Sequence, residues 1–180
     1  MRFLAMALAM FWLGGCDSGD VPSPADRQAG LDTPEPVEAN LIKLDGNSLV
    51  AGAEAFYFSA GQSEVEAALG RVLGAPLDRQ TNQECGAGPM DMAAYSSGLT
   101  VNFQQGVFVG WWIDEAADNV AIDEGFDVGT SRETAQGVSG FSWVADSTLG
   151  EEFTISGELA GFIEEDEVSM LYAGIQCFFR

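Results

Sequence analysis

The sequence predicts an α+β domain built from two tandem strand-helix-antiparallel meander repeats that pack as one compact unit. Three observations lead there. Phe58-Ser-Ala-Gly61-Gln-Ser63-Glu64 and Phe126-Asp-Val-Gly129-Thr-Ser131-Arg132 can be laid over each other sixty-eight positions apart. Downstream, Tyr95-Ser-Ser97-Gly98-Leu99 is echoed by Ile155-Ser156-Gly157-Glu158-Leu159. Each echo runs into an apolar stretch, a polar tip and a further apolar stretch; the tips are Gln104-Gln105-Gly106 and Glu164-Glu165-Asp166-Glu167. A repeated order of elements marks a repeated unit, here spanning about 54–113 and 125–180.

From the N-terminus, Met1 and Arg2 precede eleven uncharged, mostly apolar residues, Phe3 to Leu13. One positive charge, a short apolar core and a small-residue exit make a secretory signal, and the core is shorter than the roughly 20 residues a spanning helix needs. Leu13-Gly14-Gly15-Cys16 reads as a bacterial lipobox. Residues 1–15 are then the signal peptide, and Cys16 the lipidated N-terminus that anchors the protein to a membrane of the cell envelope. Residues 17–40 hold four prolines, many acids and no aromatic residue. Such a segment buries too little apolar surface to offset its ordering entropy, which predicts a disordered tether over 16–40 and a domain over 41–180.

Within the first repeat, Ser63 and Glu66 have the spacing of a capping box. Val65, Ala68, Leu69 and Val72 follow at i, i+3, i+4 and i+7, one apolar face of a helix; Gly74 and Pro76 end it. Strand-like runs come next at Met92–Tyr95, Leu99–Phe103 and Val107–Ile113. The second repeat has a shorter helical stretch at about Arg132–Val138, then runs near Phe141–Val144, Glu152–Ser156, Leu159–Ile163 and Val168–Ala173. The acidic stretch 114–127 between them reads as a solvated connection.

The helix opening at Gly61 and Ser63, with its Leu73-Gly74-Pro76 exit ahead of an antiparallel sheet, resembles the tandem modules of β-lactamase inhibitor protein. It also resembles the SmpA/OmlA (BamE-like) envelope lipoproteins. The block from Glu84-Cys85-Gly86 to Trp111-Trp112 is similar to a group of short bacterial lipoproteins, some carrying an aspartate-semialdehyde dehydrogenase label. That label implies a nucleotide-binding fold and a thiol beside a base.

The residues supply neither. The chain has no histidine, which removes Ser-His-Asp and Cys-His nucleophile systems and histidine-bearing zinc sites. No phosphate-binding glycine motif follows a strand, and stretch 114–127 departs from the spacing of a calcium loop. No cofactor or metal is implied. The chain carries 28 acids against 7 bases, a net charge of −21, and loss of Arg2 with the signal brings it to −22. That field opposes nucleic acid and favours a cationic partner, or simply keeps the domain soluble.

Export permits a disulfide between the remaining thiols, Cys85 and Cys177, worth roughly 4–5 kcal/mol in the chain-entropy model; a reactive or metal-binding pair is the alternative. In Val107–Ile113, Trp111 and Trp112 must face opposite sides of one strand. Phe108, Trp111 and Trp112 are the candidate partner-binding residues, although strand aromatics are more often core. The expectation is a lipid-anchored envelope protein that binds a protein with a cationic surface and catalyses nothing. A small-ligand or cation binder, or a carboxylate-based enzyme, is the alternative.

Overall fold

A computed structural model describes residues 41–122 and 125–178. The signal segment, Cys16 and the tether lie outside the described residues. Among the described residues, no helix is long and apolar enough to cross a membrane.

The described residues are mostly β, with two short helices, and are α+β in this broad sense. The elements in order are β1 (Ile42–Asp45), β2 (Ser48–Ala51), β3 (Glu54–Tyr57), α1 (Gln62–Leu73), β4 (Asp78–Asn82), β5 (Met90–Ala94), β6 (Leu99–Gln104) and β7 (Val107–Ile113). Then come β8 (Val120–Ile122), α2 (Arg132–Gln136), β9 (Phe141–Trp143), β10 (Glu151–Ile155), β11 (Leu159–Glu164) and β12 (Glu167–Gly174). Two sheets result. One has four strands in the order β3-β2-β1-β8; the other has eight, β4-β5-β6-β7-β12-β11-β10-β9.

Each meander has four strands, one more than the sequence reading gave the first of them. That reading missed β4 because Asp-Arg-Gln-Thr-Asn is polar throughout and exposed along most of its length. It is an edge strand, and charge on an edge deters pairing with other chains. Arg79 fastens it to α1 through two hydrogen bonds to the Glu66 carboxylate, at 2.6 and 2.8 Å, which holds Glu66 below its usual carboxylate range.

The acids of 114–127 do not make a plain solvated connection either. Val120, Ile122 and Phe126 are buried, and β8 pairs in parallel with β1.

The capping box is also corrected. The N-cap of α1 is Gly61, without a side-chain cap; Glu66 serves Arg79 and Gln62 instead. In α2 the N-cap is Ser131, whose hydroxyl accepts from the Thr134 amide. The cap residues bridge to strands, Gly61 to Val107 and Ser131 to Glu167, so Gly61 corresponds to Ser131 and not to Gly129, as the sequence matches had it.

The apolar face of α1 lies where its spacing put it, with Val65, Ala68 and Leu69 buried and Gly74 at φ +83° closing the helix. These side chains join Val101, Phe103, Trp111, Ile113, Phe153, Ile155, Leu159 and Leu171 in one core. Ile42, Leu44 and Leu49 of the small sheet belong to the same core. The helices and the small sheet therefore cover one face of the eight-stranded sheet. Odd-numbered residues of β5–β7 and β10–β12 supply that side, joined beyond the two bulges by Phe108 and Val168.

The meanders share backbone detail. Both central hairpins shift register at one point, between Asn102 and Phe103 and between Phe162 and Ile163. Both polar tips turn through left-handed residues, Gln105 and Gly106, then Glu165 and Asp166. At the junction β7 and β12 run antiparallel with Trp112 directly opposite Tyr172.

Tyr95 sits at the core margin with its hydroxyl buried and without a partner among the described residues. Burial pushes this phenol up to about 12, and the nearby Glu66 charge adds to the shift. Folding therefore favours the protonated form. The unfolded chain ionises first, near pH 10, so this contribution is intact below about pH 10 and lost between there and about 12. Tyr95→Phe should flatten urea stability against pH in that window while leaving stability at pH 7 unchanged or raised, because it removes an unpaired buried hydroxyl.

Candidate functional site

Even-numbered residues of the eight strands face away from the helices, except beyond the two bulges, where Phe108 and Val168 turn into the core. One row crosses all eight strands, reading from β4 to β9: Asp78, Ala94, Thr100, Trp112, Tyr172, Ala160, Thr154 and Ser142. Its middle is two large aromatics; on either side it is small. Strand alternation alone produces this relief, since the register fixes which side chains are neighbours.

Trp111 and Trp112 point to opposite faces, as their adjacency requires. Trp111 is fully buried, and its indole N–H donates to the Asp45 carbonyl at 3.0 Å, tying the small sheet to β7. Phe108 is also fully buried, edge-on to Phe58 at 5.2 Å. Both therefore leave the list of partner contacts: their side chains are already used by the core. Trp112 is half-buried on the other face.

The two halves of this face differ. On the second half, Tyr172 stacks on Phe162 at 5.6 Å, and Phe178 packs edge-on against Tyr172 at 5.0 Å. The Tyr172 hydroxyl donates to the buried Glu152 carboxylate, which also accepts from the Ser147 hydroxyl at 2.5 Å. On the first half, short Ala94 and Thr100 beside tall Trp112 leave a hollow of about 160 Å³, lined also by Met92, Asp78 and Gln80.

The C-terminal segment crosses the next row over. After Gly174 the Ile175 amide donates to Val109, the Asn102 amide group donates to the Ile175 carbonyl and the Gln176 side-chain oxygen, and Gln176 donates to the Trp111 and Ala173 carbonyls. A Cβ on Gly110 would lie 2.7 Å from the Ile175 carbonyl oxygen, so only glycine admits the segment there. Cys85 and Met90 are buried outside the main core, on this same side.

Cys85 and Cys177 are free thiols in the structure, and the fold makes them neighbours. The Asn82 side chain donates to the Cys177 sulfur at 3.1 Å. Burial, then the Cys85 contact, pushes the Cys177 thiol up to about 11. A thiol held protonated at neutral pH is a poor nucleophile, which favours a structural pair over a reactive one.

The sequence singled out Trp112 and both thiols. It missed Met92, Tyr172, Phe162, Phe178 and Asp78 as companions of Trp112. Alternation along β7 and β12 held that signal, but only the β7–β12 register places the strands side by side. No family model, curated protein or solved structure matches this chain.

Two predictions follow from the opposed indoles and the adjacent thiols. Trp111→Ala should cost about 3–5 kcal/mol in urea denaturation, whereas Trp112→Ala should cost under about 1.5 kcal/mol; equal losses would mean both indoles are core. Thiol titration of protein isolated from an oxidising compartment should find Cys85 and Cys177 unreactive until reduced, with Cys85→Ala lowering Tm. Two thiols titrating without reduction would refute the bond.

Proposed function

We propose that the chain is a lipid-anchored protein of the bacterial cell envelope, made of two tandem meander repeats, whose helix-free sheet face binds a protein partner with a cationic surface. The carrying observation is that face. It is a broad sheet surface with the half-buried Trp112 at its middle beside the buried Tyr172 ring; the C-terminal segment, the loop at Cys85 and the β9–β10 loop at Ser147 lie over parts of it. Large aromatic side chains at the centre of a surface are typical binding anchors, and a net charge of −21 steers cationic partners toward the protein.

Tandem repetition is supported by geometry beyond the sequence matches. Equivalent bulges, equivalent left-handed tips and equivalent cap-to-strand bridges recur in both meanders. Lipidation at Cys16 would anchor the domain to the membrane.

The test is photo-crosslinking in intact cells with the probe at Thr154, on the binding face, or at Gly70, exposed on α1. The same partner should be captured from Thr154 and not from Gly70. Its association should slow with added salt, as screening shortens the reach of the field to about 8 Å at physiological strength. Cys16→Ser should abolish labelling by a fatty-acid probe and release the protein from the membrane fraction. Equal capture from both positions would overturn the assigned face, and surviving fatty-acid labelling would overturn the anchor.

A further inference from the structure

The hollow beside Trp112 is more specific than the face that contains it. Its floor is Ala94 and Thr100 on the two inner strands, its walls are Met92 and Trp112, and its rim on the edge strand is Asp78 and Gln80. We propose that it is the receptor for one arginine side chain of the partner, with the aliphatic stem against Met92 and Ala94 and the guanidinium between the Trp112 indole and the Asp78 carboxylate. This rests on the reading that the helix-free face binds a protein.

Size admits such a group. An apolar cavity of about 150 Å³ holds a benzene-sized molecule, so about 160 Å³ takes the stem and planar head of one long side chain.

Chemistry selects a cation. Among the described residues, no basic side chain lines the hollow. The Asp78 carboxylate accepts one bond on each oxygen, from the Arg79 amide at 2.8 Å and the Gln80 side chain at 2.7 Å, and each oxygen keeps a second lone pair. A neutral apolar guest would dehydrate that carboxylate without compensation, and an anion would meet both the carboxylate and the negative field of the whole chain. A single carboxylate among six lining residues does not make a metal site.

Shape then prefers guanidinium to ammonium. A planar head can lie on an indole and still present paired N–H donors to a carboxylate, whereas an ammonium is a compact point charge that favours full hydration. Arginine is also the charged residue most enriched at binding hot spots.

The experiment is NMR titration of the full mature chain with n-butylguanidinium, observing the Trp112 indole N–H and the Met92 methyl group. The neutral isostere n-butylurea and n-butylammonium serve as comparisons. Saturable shifts at both groups are expected in the millimolar range usual for so small a ligand, with n-butylurea roughly tenfold weaker and n-butylammonium intermediate. Asp78→Asn, on an exposed edge, should weaken binding roughly threefold, the scale of an exposed ion pair. Trp112→Phe, which keeps a ring should Trp112→Ala fail to fold, should weaken it roughly two- to fivefold. Ala94→Leu should fill the hollow and abolish the shifts.

Equal binding of n-butylurea, or shifts spread over surface acids that survive Ala94→Leu, would overturn the proposal. So would an arginine of this chain already in place: Arg27→Gln or Arg180→Gln would then move the Met92 and Trp112 signals with no ligand added. Partner capture from Thr154 with an inert hollow would sink the arginine receptor alone. A selective hollow with no capture from Thr154 would instead sink the protein-binding reading.

Discussion

The antiparallel junction of β7 with β12 is the constraint on which the arrangement of the molecule depends. Each meander is four strands with one short helix, and the one core draws on both. Joining them through their last strands makes one continuous sheet, and the pairing of Trp112 with Tyr172 fixes its register. That register brings Trp111, Ile113, Leu171 and Ala173 to the same side. A slip of one residue would send every one of them to the other face. The indole of Trp111 then reaches the Asp45 carbonyl, so the same junction decides where the small sheet docks.

A consequence of putting both helices and the small sheet on one face is that the other face is left for different work. Three polar contacts make the C-terminal segment a built part of that face rather than a loose end: Asn102 to Ile175, Gln176 to Trp111, and Asn82 to Cys177. Gly110 is the complementary concession in the sheet, since its missing side chain is the space through which the segment passes. A bond between Cys85 and Cys177 would fasten what these hydrogen bonds already hold. It would cut the freedom of the unfolded chain without asking the folded one to move far, because the thiols are neighbours beforehand.

Local pattern made much of this legible, and long-range pairing made the rest opaque. The α1 face, its Gly74 stop, the hairpin tips and β7 lie where periodicity and turn chemistry put them. Edge strand β4 escaped because an exposed strand has no apolar alternation to read. Strand β8 escaped because Val120 and Ile122 are too few to show a period and sit among acids that suggest solvent. The capping box at Ser63 failed through competition: Glu66, which it needed, is taken by Arg79 from across the fold. At the candidate site, Trp112 was visible as one of two adjacent indoles, but which of them faced outward depended on the bulge at Asn102 and the junction register.

On the proposed duplication, the two halves should carry the same surface, and their difference locates function. Corresponding positions in the central hairpins hold Asn102 and Phe162, and those on the preceding strand hold Met92 and Glu152. In the second half, Phe162 stacks with Tyr172, and Glu152 takes the Tyr172 hydroxyl, so that ring is held from two sides. In the first, Asn102 turns to the C-terminal segment and Met92 leaves one wall of the hollow pliable. Only β12 runs on into that segment; β7 is followed instead by the connection to β8. The chain end thus crosses onto the first half and cannot be matched by a symmetric copy. A symmetric scaffold becomes one-sided, with a rigid aromatic block beside an adaptable hollow. A half-buried indole backed by a packed aromatic block, next to a recess, suits the docking of one protruding side chain better than the binding of two equal ligands.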